Sequence, residues 1–210
     1  MDTIESIIRW AGGIAALIVI IVVLISVGRF RSQPAGKTIG SSPARLYSPV
    51  FLVVSSVISI AICVLLWRPI AITLPTWVQF VTLVLGTVFY FGGIVLVLWG
   101  RQVLGKYHNL STTQGVQLFA DHKLLTSGPY AVVRHPMYLG FFLAVFGGLL
   151  LYQTWTMVLF VLCSPVFVRR ARREEEVLVL EFGDEYEAYR QAVPAFFPRF
   201  FKHKPDVEST

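Results

Sequence analysis

The sequence has 210 residues, of which 55% are hydrophobic and only 14% charged, and its formal net charge is +6. A soluble domain carries about 25% charged residues, so this composition excludes an ordinary soluble globular domain and indicates an integral membrane protein. The basic residues flank the apolar runs instead of forming a separate patch, so the positive charge does not predict nucleic acid binding. The four histidines lack the spacing of metal ligands, and no metal site is predicted.

The first three apolar runs each have the length of a membrane-spanning helix. Residues 7–27 form a run of about 20 residues without the basic start and cleavage site of a signal peptide, so they are predicted to be the first membrane helix. Residues 50–67 and 77–99 follow as the second and third segments, and Gly92–Gly93 in the third would allow a close helix approach.

The last two apolar runs are shorter and predict a helical hairpin. After a polar stretch of about 35 residues, residues 137–151 and 155–168 are separated by only three residues, which favours two tilted or incompletely spanning helices. Residues 169–204 are predicted to be a helical, interfacial region. In it Gly183 ends one helix, and Phe196 and Phe197 belong to a basic and aromatic membrane anchor.

The distribution of basic residues predicts the topology. If residues 28–49, 100–136 and 169–210 lie on one side, that side holds 16 of the 18 lysines and arginines. The positive-inside rule then places the N-terminus outside and the C-terminus in the cytoplasm, with five membrane segments. The fold class predicted is therefore an all-α, multi-pass membrane domain over residues 1–210.

Two polar groups flank the hairpin and are predicted to meet. Tyr130 to Tyr138 precede it and Arg170 to Glu176 follow it, and a hairpin returns the chain to the side it left. Pro136 suits the first turn of a helix, with His135 at the N-cap. Ionisable groups against a membrane helix indicate a functional site. Two other readings stay open: an interfacial turn that only marks the cytoplasmic side, and a local salt bridge between Arg170 and Glu174 at spacing i, i+4.

The motifs resemble those of the isoprenylcysteine carboxyl methyltransferase family. The segment R-H-P-M-Y-L-G, preceded by L-L-T-S-G-P-Y and followed by R-R-E-E…F-G-D-E-Y-E-A-Y…V-P, is similar to that family over residues 114–198. The family belongs to a wider group of membrane methyltransferases that includes phospholipid N-methyltransferases and thiol methyltransferases.

The resemblance implies S-adenosylmethionine as the cofactor and assigns residues to it. Cofactor contacts are implied at Gln117, His122, Lys123, Leu124, Leu125, Tyr130, His135, Pro136, Met137, Tyr138 and Glu174. Arg170 is implied to lie towards the methyl acceptor, as the catalytic residue. The implied acceptor is lipophilic or small and apolar, with a carboxylate, thiol or amine nucleophile, and the site lies on the cytoplasmic side of the bilayer.

Two alternatives of other classes remain at this point. Sterol and steroid reductases share a related R-H-P-x-Y-x-G segment and use NADPH, although the downstream pattern and small size favour a methyltransferase. The second alternative is a membrane scaffold whose polar groups only set topology. The sequence does not specify the acceptor or the oligomeric state.

Overall fold

The computed structural model describes residues 2–30, 38–39, 49–104, 116–117 and 124–198. Within these ranges the prediction of a helical chain is confirmed, apart from two short strands, β1 and β2, that pair antiparallel with Thr38 opposite Gln117. The helices and strands are α1 Asp2–Phe30, β1 Thr38–Ile39, α2 Pro49–Leu65, α3 Thr76–Leu104, β2 Val116–Gln117, a 3₁₀ helix Gly128–Ala131, α4 Pro136–Tyr152, α5 Trp155–Cys163, α6 Val166–Phe182 and α7 Asp184–Ala192.

Two helices of the described residues are long and apolar enough to cross a membrane by length and composition. They are Thr3–Val22 within α1 and Thr76–Leu104, and the shorter apolar helices are Val53–Leu65 and Pro136–Tyr152. Large apolar side chains on α1, α2 and α3 are exposed. That surface suits a lipid environment, and the count of five spanning segments stays a prediction.

Helices α3 and α4 form the centre of the fold and pack along a seam of small residues. Gly86, Gly93 and Gly100 recur every seven residues in α3 and are buried. A Cβ atom built at Gly140 of α4 would lie 2.7 Å from the Gly93 carbonyl oxygen, so the two backbones are in direct contact. Gly92 has open space around it. Small residues at such a seam are the usual means of close helix packing in membranes.

One end of the helix pair holds the turn between α4 and α5. Gln153 adopts a left-handed conformation, with φ 49°, and its carbonyl accepts a hydrogen bond from Ile70 N at 2.7 Å. The Tyr152 hydroxyl donates to the Arg9 carbonyl at 2.9 Å. The first turns of α1, the connector after α2 and this turn therefore share one end of the bundle.

The helix is interrupted between α5 and α6, which corrects the sequence prediction of one segment over residues 155–168. Helix α5 ends at Cys163 and α6 begins at Val166. Pro165 has no N–H to donate, and its ring would clash with the preceding turn of an α-helix. At this point Phe167 N donates to the Ser164 carbonyl, three residues earlier, at 3.0 Å. An α-helical bond would reach the residue four positions earlier. The predicted stop at Gly183 is present, with φ 51° between α6 and α7.

Candidate functional site

The opposite end of the bundle carries the start of α4, and a compact turn leads into it. Gly128 begins the 3₁₀ helix with a φ of 61°. The buried Pro129 follows it, and its carbonyl accepts a hydrogen bond from Val133 N at 3.1 Å. His135 is the N-cap residue of α4 and the buried Pro136 is its first residue, as the sequence predicts. Proline fits there because the first helical N–H groups have no intrahelical partner.

Helix α6 brings Glu174 to Tyr138, so the two predicted polar groups do meet. The Tyr138 hydroxyl donates a hydrogen bond to Glu174 Oε1 across 36 positions of sequence. Arg170 Nε donates to the same oxygen at 3.2 Å. The local Arg170–Glu174 ion pair is therefore present, but it is one part of a contact between the two motifs. All three side chains are half-buried.

Glu175, the next residue, faces a different set of partners that sequence spacing did not predict. Its Oε1 accepts hydrogen bonds from Arg134 Nε at 2.9 Å and Arg134 Nη2 at 2.8 Å. His135 Nε2 also lies 2.8 Å from this oxygen. Burial raises the pKa of Glu175, but the hydrogen bonds from His135 and Arg134 outweigh it and lower the pKa to about 2. Glu175 is therefore ionised at neutral pH.

The segment after α7 packs over Arg134 and His135. Arg134 N donates to the Pro194 carbonyl at 2.8 Å, and His135 N donates to the Ala195 carbonyl at 3.0 Å. Arg134 Nη1 donates to the Arg190 carbonyl at 2.9 Å, which ties the end of α7 to the same guanidinium. The cationic pair of the motif thus fastens the C-terminal segment to the start of α4.

Phe196 packs against the site, which corrects its predicted role as a membrane anchor. Its ring stacks on His135 with centroids 5.4 Å apart and an interplanar angle of 29°. It also contacts Phe142 of α4 at 5.9 Å. Phe197 is 80% exposed, as an anchor residue would be. The rest of the predicted anchor lies outside the described residues.

Aromatic rings of α4 and α6 pack together beside Glu174 and form an apolar wall. The Phe167 ring lies 5.8 Å from the Tyr138 ring and 4.5 Å from the Phe141 ring. Phe167 precedes Arg170 by one helical turn of α6. The site thus combines the Glu174 carboxylate, which can accept hydrogen bonds, the Arg170 cation and an aromatic surface formed by α4 and α6.

The remaining predicted contacts are placed as follows. Tyr130 is half-buried and its carbonyl accepts from the Tyr189 hydroxyl at 2.7 Å. Burial, followed by the charge of Glu174, raises the pKa of the Tyr130 phenol, which keeps it neutral. Met137 is half-buried, and its side chain is 2.9 Å from a Cβ built at Gly100.

Five predicted cofactor contacts remain, of which three are among the described residues. Leu124 and Leu125 are half-buried and precede the 3₁₀ helix. Gln117 lies in strand β2 opposite Thr38, and its contact with a cofactor stays a prediction. His122 and Lys123 lie outside the described residues.

Comparisons with known proteins identify methyltransferases as relatives of this chain. A family model described as "Phospholipid methyltransferase" matches residues 81–185. The chain is 42% identical over 80 residues to a protein-S-isoprenylcysteine O-methyltransferase of Schizosaccharomyces pombe, covering 37% of this chain and 34% of the relative. It is 38% identical over 76 residues to methanethiol S-methyltransferase 2 of Bradyrhizobium diazoefficiens, covering 36% and 29% respectively. The chain thus spans about a third of the length of these two relatives.

A solved structure is also similar in sequence. The eukaryotic intramembrane Ras methyltransferase ICMT (isoprenylcysteine carboxyl methyltransferase) shares 28% identity, with 58% of this chain and 42% of that chain covered and a TM-score of 0.42. The resemblance drawn from the sequence motifs is confirmed by the family model and the relatives. Since that model matches half of the chain and includes both motifs of the site, the chain belongs to the phospholipid methyltransferase family.

Proposed function

We propose that this chain is an S-adenosylmethionine-dependent membrane methyltransferase acting on a lipophilic or small apolar acceptor. The observation that carries the proposal is the contact of Tyr138 with Glu174 beside Arg170. It joins the two motifs on which the family resemblance rests, at the interfacial end of an apolar helix pair. The names of the relatives support an acceptor such as an isoprenylated cysteine or a small thiol.

The residues present fit the proposed cofactor. S-adenosylmethionine supplies an electrophilic methyl group on a sulfonium sulfur, together with ammonium and hydroxyl donors. Glu174 offers a half-buried carboxylate that can accept from such donors, and hydrogen bonds to charged groups are the stronger class. The wall of Tyr138, Phe141 and Phe167 can pack against a planar base or a cation.

The proposed reaction needs little from the protein beyond alignment and exclusion of water. Bound at this site, S-adenosylmethionine would supply its methyl group to the acceptor's electron pair, and the pair of the carbon–sulfur bond would remain on sulfur as a neutral thioether. A carboxylate or thiolate acceptor has no proton to lose, so no general base is required, whereas an ammonium acceptor must first give up a proton. In this proposal Arg170 orients an anionic acceptor, because its guanidinium stays charged. In this proposal the wall of Tyr138, Phe141 and Phe167 excludes water from the reacting groups.

We also propose five membrane segments, with the N-terminus outside and the C-terminus cytoplasmic. The contacts of Tyr152 with Arg9 and of Gln153 with Ile70 support this arrangement, because they bring together the three parts predicted to be outside. Cysteine labelling in sealed vesicles, with both native cysteines replaced, tests it. Position 72 should react from the outside and position 172 from the cytoplasm, and labelling of both from one side would contradict the topology.

The function is tested by calorimetric titration of the purified protein with S-adenosylhomocysteine and, separately, with NADPH. We expect binding of the first ligand only. Glu174→Gln should weaken it roughly 10- to 150-fold, since hydrogen bonds to charged groups contribute about 1.5–3 kcal/mol. Glu181→Gln, an exposed position in the same helix, is the matched control and should bind as the wild type does. Binding of NADPH instead would favour a reductase, and binding of neither would favour a scaffold.

A further inference from the structure

We infer that Arg134 and Glu175 are positioning residues that fix the hydrogen pattern of the His135 imidazole. In this arrangement Nε2 carries the hydrogen and Nδ1 is left as a hydrogen-bond acceptor for a donor group of the bound methyl donor. The inference rests on the proposed function for the identity of the ligand. Neither Arg134 nor Glu175 was assigned a role by the sequence resemblance.

The first step is the contact between the imidazole and the carboxylate. His135 Nε2 lies 2.8 Å from Glu175 Oε1, and the Glu175 side chain is only 13% exposed. Two nitrogens of Arg134, itself 10% exposed, bind the same oxygen and hold the carboxylate in its charged form. A charged carboxylate can only accept hydrogen bonds, so the hydrogen of this contact must lie on His135 Nε2. A neutral imidazole has one N–H, and Nδ1 is then the acceptor.

The second step is the orientation of the ring. His135 is 7% exposed, stacks on Phe196, and is tied through its backbone N–H to Ala195. Turning the ring over about the Cβ–Cγ bond would place Cε1 where Nε2 lies and break the hydrogen bond to Glu175. Packing and the carboxylate therefore hold one ring orientation and one tautomer, as is common where a carboxylate lies behind a functional histidine.

The third step is the ligand chemistry that follows. An acceptor nitrogen recognises an ammonium, a hydroxyl or an exocyclic amine, and it disfavours a carboxylate. S-adenosylmethionine carries all three kinds of donor in addition to its own carboxylate. We therefore assign the His135 contact to a donor group of the ligand. Glu174, which is also a hydrogen-bond acceptor, prefers the same kind of ligand group. Glu174 and Glu175 then have separate duties: Glu174 is placed to meet the ligand itself, and Glu175 acts through His135.

The tautomer can be measured without any cofactor, which separates this inference from the proposed function. The full chain is labelled with ¹⁵N-histidine in detergent micelles at about pH 8, where an ordinary histidine is neutral. The signals of His135 are identified by their loss in His135→Gln. We expect one ring nitrogen in the shift range of a protonated nitrogen and the other in the range of an unprotonated one, with the proton coupled to Nε2. A proton on Nδ1, whether in the other tautomer, in an even mixture of tautomers or in a doubly protonated ring, would overturn the inference.

The effect on the ligand is measured by titration with S-adenosylhomocysteine. We expect Glu175→Gln to weaken binding about tenfold, with the His135 nitrogen signals moving towards a mixture of tautomers. Glu176→Gln, the exposed neighbour, should change neither quantity. A Glu175→Gln variant that loses the single tautomer but binds as tightly as the wild type would overturn the positioning role. If the variant fails to fold, the tautomer of His135 measured in the wild type still tests the inference. Failure of the wild type to bind S-adenosylhomocysteine would overturn the proposed function. It would also overturn the assignment of the His135 contact to this ligand.

Discussion

Glu175 is expected to stabilise the fold in a manner that depends on pH. Its carboxylate joins Arg134 and His135, at the start of α4, to α6. The pKa falls from the ordinary 4.5 to about 2 in the folded chain, and one pKa unit corresponds to about 1.4 kcal/mol. The contribution to the free energy of unfolding at neutral pH is therefore about 3 kcal/mol, a large share of the stability of a small domain.

The sign of the pH dependence follows from the depressed pKa. Below about pH 4.5 the unfolded chain takes up a proton at Glu175 while the folded chain does not. The stabilisation is fully present above that pH and is lost progressively as the pH falls through about 2. Glu175→Gln should lower the free energy of unfolding by about 3 kcal/mol at neutral pH. It should also flatten this part of the acid dependence.

The assay is unfolding by sodium dodecyl sulfate in mixed micelles, followed by tryptophan fluorescence at several pH values. Glu187→Gln is the matched control, because Glu187 pairs with Arg190 at a 42% exposed position, where an ion pair contributes about 0–1 kcal/mol. A Glu175→Gln variant with the unfolding midpoint of the wild type at neutral pH would refute the reasoning. So would a variant that loses stability but keeps the wild-type acid dependence.

Three further changes test the packing and the site. Gly140→Leu should lower the free energy of unfolding by about 1–3 kcal/mol in the same assay, because a side chain there meets the backbone of α3. Gly92→Leu, in open space, is the control, and equal losses in the two variants would contradict the close packing of α3 on α4. Tyr138→Phe should weaken S-adenosylhomocysteine binding in a titration, since Glu174 loses a hydroxyl donor that orients it, and unchanged affinity would separate Tyr138 from the ligand site. Arg170→Ala should reduce turnover far more than cofactor affinity, and Arg170→Lys should recover only part of it; equal loss of both quantities would move Arg170 into the cofactor shell.

The meeting of the two motifs was predictable from the sequence because it depends on chain direction alone. A short hairpin must return α6 to the level at which α4 begins, and Tyr138 and Glu174 are indeed in contact. The N-cap at His135 was also predictable, since it follows from the local rule for a proline in the first helical turn.

The division of labour between Glu174 and Glu175 was not predictable. Successive residues of a helix point about 100° apart, so adjacent glutamates face different partners, and only the packed structure decides which. One partner of Glu175 is Arg134, 41 positions away, and no spacing rule indicates a pair so distant. The one available signal was the placement of an arginine directly before the motif histidine.

Two corrections have local causes. Pro165 interrupts what the hydropathy pattern predicts as one helix, because hydropathy does not register a missing N–H. Phe196 has the composition of an anchor but stacks on His135, because the backbone of the neighbouring Ala195 is bonded there. A pattern of aromatic and basic residues does not distinguish a ring facing lipid from one facing a site.

The most direct test of the methyltransferase assignment is photo-crosslinking with S-adenosylmethionine labelled in its methyl group. The purified full chain is irradiated with the ligand, digested, and the labelled peptides are identified by mass spectrometry. We expect label within residues 124–142 or 166–176, removed by excess S-adenosylhomocysteine and left unchanged by excess NADPH. Label that no excess of S-adenosylhomocysteine removes, or label confined to α1 or α2, would contradict it.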